Sequence, residues 1–149
     1  MDEAALASAA PEMRRLAEAL VPLLLVGPDE RLEELRIQWA ASTRSISDAS
    51  SCGFFLEISV PADVPRIKAP DLGGGDALIP VVGDEQPSGC ILYLVDGALS
   101  YLEVSNFVAW EVPPVFGTPT HVEPIVLQPG AAATTPNQSF KPNPLRGSG

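Results

Sequence analysis

The sequence predicts an α+β fold in which an N-terminal helix packs on a mainly antiparallel sheet of four or five strands, followed by a proline-rich C-terminal tail. Three observations predict it. An N-terminal segment rich in alanine and leucine repeats its apolar residues every three or four positions. Two apolar runs flank Asp96-Gly97, which is the strongest short-range signal for a β-hairpin. Prolines then dominate the chain after Pro113.

Size and charge limit the domain count and the class of partner. The 149 residues are 46% hydrophobic, which predicts one folded domain over residues 1–123 and an extended or disordered tail over residues 124–149. The formal net charge is -10, and all 19 carboxylates precede residue 124. Such a body repels nucleic acid and anionic membranes and steers basic partners towards itself, although acidic composition also serves solubility alone.

The cysteines and the N-terminal segment indicate a cellular compartment. Cys52 and Cys90 are too few for a disulfide scaffold, and the apolar stretch 20–26 lacks a cleavage site and is too short to span a membrane. We therefore expect a cytoplasmic protein with reduced cysteines. Both cysteines precede expected strands, so a bridge on oxidation stays open as an alternative.

The first expected element is an amphipathic helix over residues 2–21. Pro11 suits the first turn of its regular part, and Pro22 should kink or end it. The stripe that must cover the core consists of Leu6, Ala10, Met13, Leu16, Leu20 and Leu24.

Residues 29–42 fit two patterns. Leu32, Leu35 and Trp39 have helical spacing, whereas Leu35, Ile37 and Trp39 alternate as in a strand. The β-branched Ile37 favours a strand that begins near Leu35 after an acidic lead-in. Residues 43–51 read as a polar loop, and residues 53–60 read as a strand with Phe54, Leu56, Ile58 and Val60 on one face.

The central segment and the hairpin complete the expected sheet. Residues 61–88 hold five prolines and three consecutive glycines, so only a short edge strand over residues 77–82 is expected there. A two-residue turn at Asp96-Gly97 pairs Leu94 with Leu99 and Leu92 with Tyr101. Both faces of the hairpin are then apolar. The second face needs cover from the central loop, from residues 106–116, or from a second molecule, which leaves a homo-oligomer open.

Reactive groups in a recognisable arrangement are scarce. His121 stands alone in a proline-rich stretch, and no serine elbow accompanies it. One histidine and two distant cysteines give no metal-ligand spacing. The glycine run 73–75 is flanked by aspartates and lacks the lysine of a phosphate loop. We therefore expect no catalytic, cofactor-binding or metal-binding residue, and no enzyme.

The candidate binding residues are carboxylates and an aromatic side chain, namely Asp84, Glu85, Glu103, Trp110 and Glu111. Glu103 is expected on the same hairpin face as Leu92, Leu94 and Tyr101. A carboxylate in such a setting needs a backbone donor, an arginine or another protein as its partner, and a structural role is the alternative. Trp110, or Trp39, could supply an aromatic anchor.

The segment 89–116 also resembles a known type of protein. Its hairpin and the following proline pair look like a group of small actinobacterial α+β proteins, some of which resemble the immunity proteins that neutralise polymorphic toxins. The matching positions are Asp96, Gly97, Leu99, Ser100, Leu102, Glu103, Pro113 and Pro114.

Together these features predict a non-catalytic protein-binding module. The resemblance implies an immunity-like inhibitor that occludes a toxin or effector. The acidic charge favours a basic partner and disfavours nucleic acid and membranes, and the missing motifs predict no cofactor. The alternative is a structural adaptor or secretion chaperone of a larger assembly, which would use the C-terminal tail as a docking arm.

Overall fold

The computed structural model describes residues 1–129, so most of the expected tail, residues 130–149, lies outside the described residues. The helices are α1 (Glu3–Leu24) and α2 (Glu30–Ala41). The strands are β1 (Thr43–Ser50), β2 (Gly53–Ser59), β3 (Leu72–Gly74), β4 (Asp76–Leu78), β5 (Gly89–Val95), β6 (Ala98–Ser105) and β7 (Thr120–Glu123).

Five strands form one antiparallel sheet in the order β1-β2-β6-β5-β3, and β4 pairs with β7 in a second, two-stranded sheet. Both helices pack on the same side as the buried residues of the large sheet. The predicted α+β architecture is thus confirmed. Of the edge strand expected over residues 77–82, only Ala77 and Leu78 lie in a strand, β4 of the small sheet, while Ile79 and Val81 form isolated bridges.

The helix α1 covers the core with the predicted spacing. The Asp2 carboxylate caps its first turn by accepting from the Ala5 amide at 2.8 Å. The helix continues through Pro11 and ends just after Pro22. Its buried residues are Ala9, Met13, Leu16, Ala17, Leu20, Val21 and Leu24.

The strand expected near Leu35 is wrong, because residues 30–41 form α2. The Asp29 carboxylate caps this helix by accepting from the Arg31 amide at 2.9 Å. Leu32, Leu35 and Gln38 are buried at helical spacing, and Ile37 is 54% exposed. Tertiary burial of one helical face therefore outweighs the β-propensity of a single branched residue.

The polar loop expected over residues 43–51 is also wrong, since Thr43–Ser50 form the edge strand β1. It pairs with β2 from Thr43 opposite Ser59 to Ser47 opposite Phe55. An edge strand with a solvent-exposed face needs few apolar residues. The serine-rich β1 therefore lacks the alternation of apolar and polar residues that predicts a strand.

The predicted hairpin is present, but its register differs from the expectation. Asp96 and Gly97 both have positive φ, at 52° and 75°, which suits a two-residue hairpin turn. Leu94 pairs with Leu99 as expected. A bulge then shifts the register, so that Leu92 lies opposite Leu102.

The bulge corrects the expectation that both hairpin faces are apolar. One face gathers the buried residues Leu92, Leu94, Leu99, Leu102 and Val104. The other face is mixed, because it carries the partly exposed Tyr93, Tyr101 and Glu103 together with Ile91 and Val95, each 41% exposed. The hairpin therefore needs helical cover on one side only.

The packed body extends beyond the expected boundary at residue 123. Ile125 is buried, and its amide donates to the Leu24 carbonyl at 2.8 Å. The Arg31 guanidinium donates to the Gln128 carbonyl at 2.6 Å. No helix within residues 1–129 is long and apolar enough to cross a membrane.

Candidate functional site

The loop between β6 and β7 exposes large apolar side chains. Phe107 is 92% exposed, and Val108 and Val112 are exposed by more than 60%. Val82 projects from the neighbouring loop and is 71% exposed. We call these two neighbouring segments, residues 82–85 and 107–112, the loop surface.

Backbone hydrogen bonds fix the loop surface on the sheet. The Trp110 amide donates to the Ser51 carbonyl, and the Asn106 amide donates to the Cys52 carbonyl, both at 2.8 Å. The Val82 amide donates to the carbonyl of Val115 at 2.9 Å. The apolar side chains are thus presented by a backbone that is tied to its neighbours at several points.

Trp110 supports this loop from below. It is buried, and its ring meets Phe116 edge-on at a centroid distance of 5.7 Å. Phe116 in turn lies 6.4 Å from Phe54 in the core. The backbone amide of Phe116 donates to the Glu12 carboxylate at 2.9 Å, which ties the loop to α1.

Carboxylates border the exposed apolar groups. Asp84 and Glu111 line a depression of about 270 Å³ together with Val82 and Val112. Asp84 and Glu85 line a second depression, of about 230 Å³, beside Val108. The residues lining these two depressions include no lysine or arginine. An apolar centre with a polar rim is the usual anatomy of a protein–protein interface.

Four of the five candidate binding residues therefore come together at the loop surface. Trp110 lies beneath it, so its indole acts as support, and the exposed aromatic side chain is Phe107. Sequence reasoning missed Phe107. Phe107 belongs to an apolar stretch directly after a hairpin strand, and the sequence of such a stretch does not distinguish a buried core segment from an exposed loop.

The fifth candidate, Glu103, lies on the other exposed region. The large sheet turns one face away from the helices, and we call it the open face. Its central side chains are Ser45, Ser47, Phe55, Glu57, Ile91, Tyr93, Tyr101 and Glu103.

Aromatic rings from three strands pack together on the open face. Tyr93 and Tyr101 are stacked with centroids 4.5 Å apart, and Phe55 lies 5.5 Å from Tyr101. Tyr93 also covers the edge strand β3, because a Cβ at Gly73 would lie only 2.7 Å from its Cε1 atom. The glycine makes room for the ring, and the ring shields the glycine backbone.

Both carboxylates on the open face have hydroxyl partners. The Tyr93 hydroxyl donates to Glu103 Oε1 at 3.3 Å, and the Ser47 hydroxyl donates to Glu57 Oε2 at 2.8 Å. Burial raises the pKa of Tyr93, and the neighbouring Glu103 charge raises it further. Glu103 thus shares its face with Tyr101, as expected, and not with Leu92 and Leu94.

The remaining reactive groups are dispersed. His121 is exposed in β7, with Nδ1 at 3.2 Å from the Thr120 hydroxyl. Burial, aided by the nearby Asp76 charge, raises the pKa of the Cys90 thiol to about 12, and Cys52 is exposed and also free. Within residues 1–129, no three His, Cys, Asp or Glu side chains are grouped so as to hold a metal ion.

The chain therefore presents two exposed regions of distinct character. The loop surface combines apolar groups with carboxylates on a fixed backbone, and the open face combines stacked rings with two carboxylates. Comparison of the chain with protein-family models, with curated proteins and with solved structures gives no match.

Proposed function

We propose that the protein is a non-catalytic binding module whose loop surface docks on a basic protein. The observation that carries this proposal is the exposure of Phe107 at 92%, in the same loop as the exposed Val108 and Val112, which line a depression with Asp84 and Glu111. Burying a phenylalanine side chain contributes about 1.5–3 kcal/mol. Large apolar groups held in water on a rigid loop are typical of an interaction site.

The fixed backbone favours tight association. Ordering a loop on binding costs free energy, and this loop is already tied to the sheet through Asn106 and Trp110. The border carboxylates Asp84, Glu85 and Glu111 would accelerate encounter with a cationic partner and set its orientation. Apolar contact would then determine the dissociation rate.

The more specific proposal is an immunity-like inhibitor of a toxin or similar effector. Two features support it, namely the resemblance carried by the hairpin and the net charge of -10. An acidic body that covers a cationic surface of an effector would block that surface from its own anionic target. No reactive group of the inhibitor is required.

Affinity capture from a lysate of the source organism tests the binding role. The wild type is compared with a loop variant, Phe107→Ser with Val112→Ser. A control variant, Val26→Ser with Ile37→Ser, removes exposed apolar side chains from the helical side instead. We expect one basic protein, captured in stoichiometric amount by the wild type and the control and lost from the loop variant.

The contradicting result is equal capture by the loop variant and the wild type, or equal loss from both variants. A kinetic readout sharpens the test. Replacing Asp84, Glu85 and Glu111 by their amides should slow association and reduce its dependence on salt, while dissociation changes little.

One observation favours the adaptor alternative. Arg31 binds the carbonyls of Lys68 and Gln128, so the last described residues are held at a fixed point beside α2. A docking arm would begin there. Deletion of residues 130–149 should abolish capture if the tail docks and leave it unchanged if the loop surface docks.

A further inference from the structure

We propose that the open face of the sheet binds an arginine-bearing segment of a protein partner. This surface is distinct from the loop surface, and of the five candidate binding residues it carries Glu103. It presents three aromatic rings and the carboxylates of Glu57 and Glu103. No lysine or arginine stands among the central side chains of the face defined above.

The strand register places each carboxylate beside an aromatic ring. Glu103 lies directly opposite Phe55 on one side, and Glu57 lies directly opposite Tyr101. Tyr101 lies opposite Tyr93 on its other side. Directly paired side chains in an antiparallel sheet have Cβ atoms about 4.5–5.5 Å apart. A planar cation can therefore contact a carboxylate and a ring at once.

Arginine suits this arrangement better than lysine. Its guanidinium donates two parallel hydrogen bonds to a carboxylate and stacks on an aromatic ring, whereas an ammonium is a compact and strongly hydrated charge. The Tyr93 hydroxyl holds Glu103 through Oε1. A carboxylate offers about four acceptor positions, so Glu103 keeps capacity for an incoming donor.

Charge argues against the other occupants of such a face. A second copy of the chain would bring two more carboxylates to a face whose central side chains include no cation, and like charges across an interface are unfavourable. Nucleic acid and anionic lipid would meet the same repulsion. A cationic protein segment is the occupant whose charge is complementary.

The open face also adjoins the loop surface. Ile91 from the open face and Phe107 from the loop surface line one depression of about 220 Å³, together with Asp76. One partner could therefore contact both regions. The open face has its own carboxylates and rings, so binding there does not require contact with the loop surface.

The test is an NMR titration of the full chain with two peptides of equal charge. Both have six residues, one alternating arginine with glycine and the other alternating lysine with glycine. We expect the arginine peptide to shift the amide signals of Glu57, Tyr93, Tyr101 and Glu103, and to bind several-fold more tightly than the lysine peptide.

Two double variants separate a site from general attraction to an acidic protein. The variant Glu57→Gln with Glu103→Gln should weaken the arginine peptide roughly tenfold. The control, Glu30→Gln with Glu34→Gln, removes the same charge from exposed positions of α2 and should leave affinity unchanged. Because all four replacements are exposed or partly exposed and nearly isosteric, unchanged amide spectra will verify the fold.

Three results would overturn the inference. They are equal affinity for both peptides, an equal loss of affinity in both double variants, and amide shifts spread over the whole acidic surface. The outcome is distinguishable from that of the loop-surface proposal. The loop variant should titrate as the wild type does, and peptide binding at the open face can be present when lysate capture fails.

Discussion

Replacing Gln38 by leucine should destabilise the protein strongly, although the two side chains have similar volume. Gln38 is fully buried on the inner side of α2 and connects the helix to the hairpin. Its Oε1 accepts from the Leu99 amide at 2.9 Å. Its Nε2 donates to the carbonyls of Gly97 at 3.0 Å and Pro65 at 3.1 Å.

The expected loss in the free energy of unfolding depends on which backbone groups lose a hydrogen-bond partner. The Leu99 amide stands where the bulge shifts the ladder and would be left as a buried donor, at a cost of about 1–3 kcal/mol. The Gly97 carbonyl keeps the Ile67 amide, which donates to it at 3.0 Å. The Pro65 carbonyl loses its bond to Gln38. We expect a total loss of about 2–4 kcal/mol in the free energy of unfolding.

Urea unfolding followed by tryptophan fluorescence and circular dichroism measures this loss. Ile37→Leu is the matched control on the exposed side of the same helix and should change the free energy of unfolding by less than about 0.5 kcal/mol. A third variant, Gln38→Glu, keeps the acceptor for the Leu99 amide and places a carboxylate against carbonyl oxygens.

Burial should raise the pKa of that introduced carboxyl in the folded state, so its deficit relative to the wild type should grow as pH rises from 4 to 7. A Gln38→Leu variant within about 0.5 kcal/mol of the wild type, at an unchanged urea dependence, would refute the reasoning.

Three further predictions concern the turn, the thiols and the acid response. Gly97→Ala should lower the free energy of unfolding by about 2 kcal/mol or more in urea titrations, because φ is +75° and a Cβ would lie 2.2 Å from a backbone oxygen. Iodoacetamide followed by mass spectrometry should label Cys52 rapidly and Cys90 only after unfolding, since burial raises the pKa of Cys90 to about 12; equal labelling in the native state would contradict this. The hydrogen bond from Arg15 lowers the pKa of Glu12, so the ionised Glu12 stabilises the fold above the ordinary carboxyl pKa, and this stabilisation is lost as pH falls. In Glu12→Gln the free energy of unfolding should therefore depend less on pH between pH 5 and 3 than in the wild type. An unchanged dependence would contradict this.

Local signals predicted the elements whose stability is local. The Asp96-Gly97 turn specifies its hairpin because few residues other than asparagine, aspartate and glycine accept positive φ. The α1 stripe is readable since one long face meets the core. The bulge in the hairpin has no signal in the neighbouring sequence. The Leu99 amide at the bulge donates to Gln38, which lies 61 residues earlier in the chain.

The errors at α2 and β1 have a common cause. Both segments bury only a narrow face, so the hydrophobic periodicity that distinguishes helix from strand rests on a few residues. Leu32, Leu35 and Gln38 form the buried face of α2, and the glutamine in it breaks an apolar pattern. In β1, Ile46 is among the few apolar side chains that pack against the core. Tertiary contacts, and not propensity, decide both elements.

The candidate site was partly predictable. Charge alone pointed to Asp84, Glu85 and Glu111, and the structure groups them at two neighbouring depressions. The exposure of Phe107 depends on how the loop crosses the sheet, which no short-range pattern encodes. The open face depends on the bulge, since one extra residue moves Tyr93 and Tyr101 into the same row.

Hydrogen–deuterium exchange of the captured complex tests the central claim most directly. Amides of residues 82–85 and 107–112 should gain protection when the basic partner binds, while the outer side of α2 around Ile37 should exchange as in the free protein. Protection gained on the helical side, with the loop surface exchanging unchanged, would contradict the account.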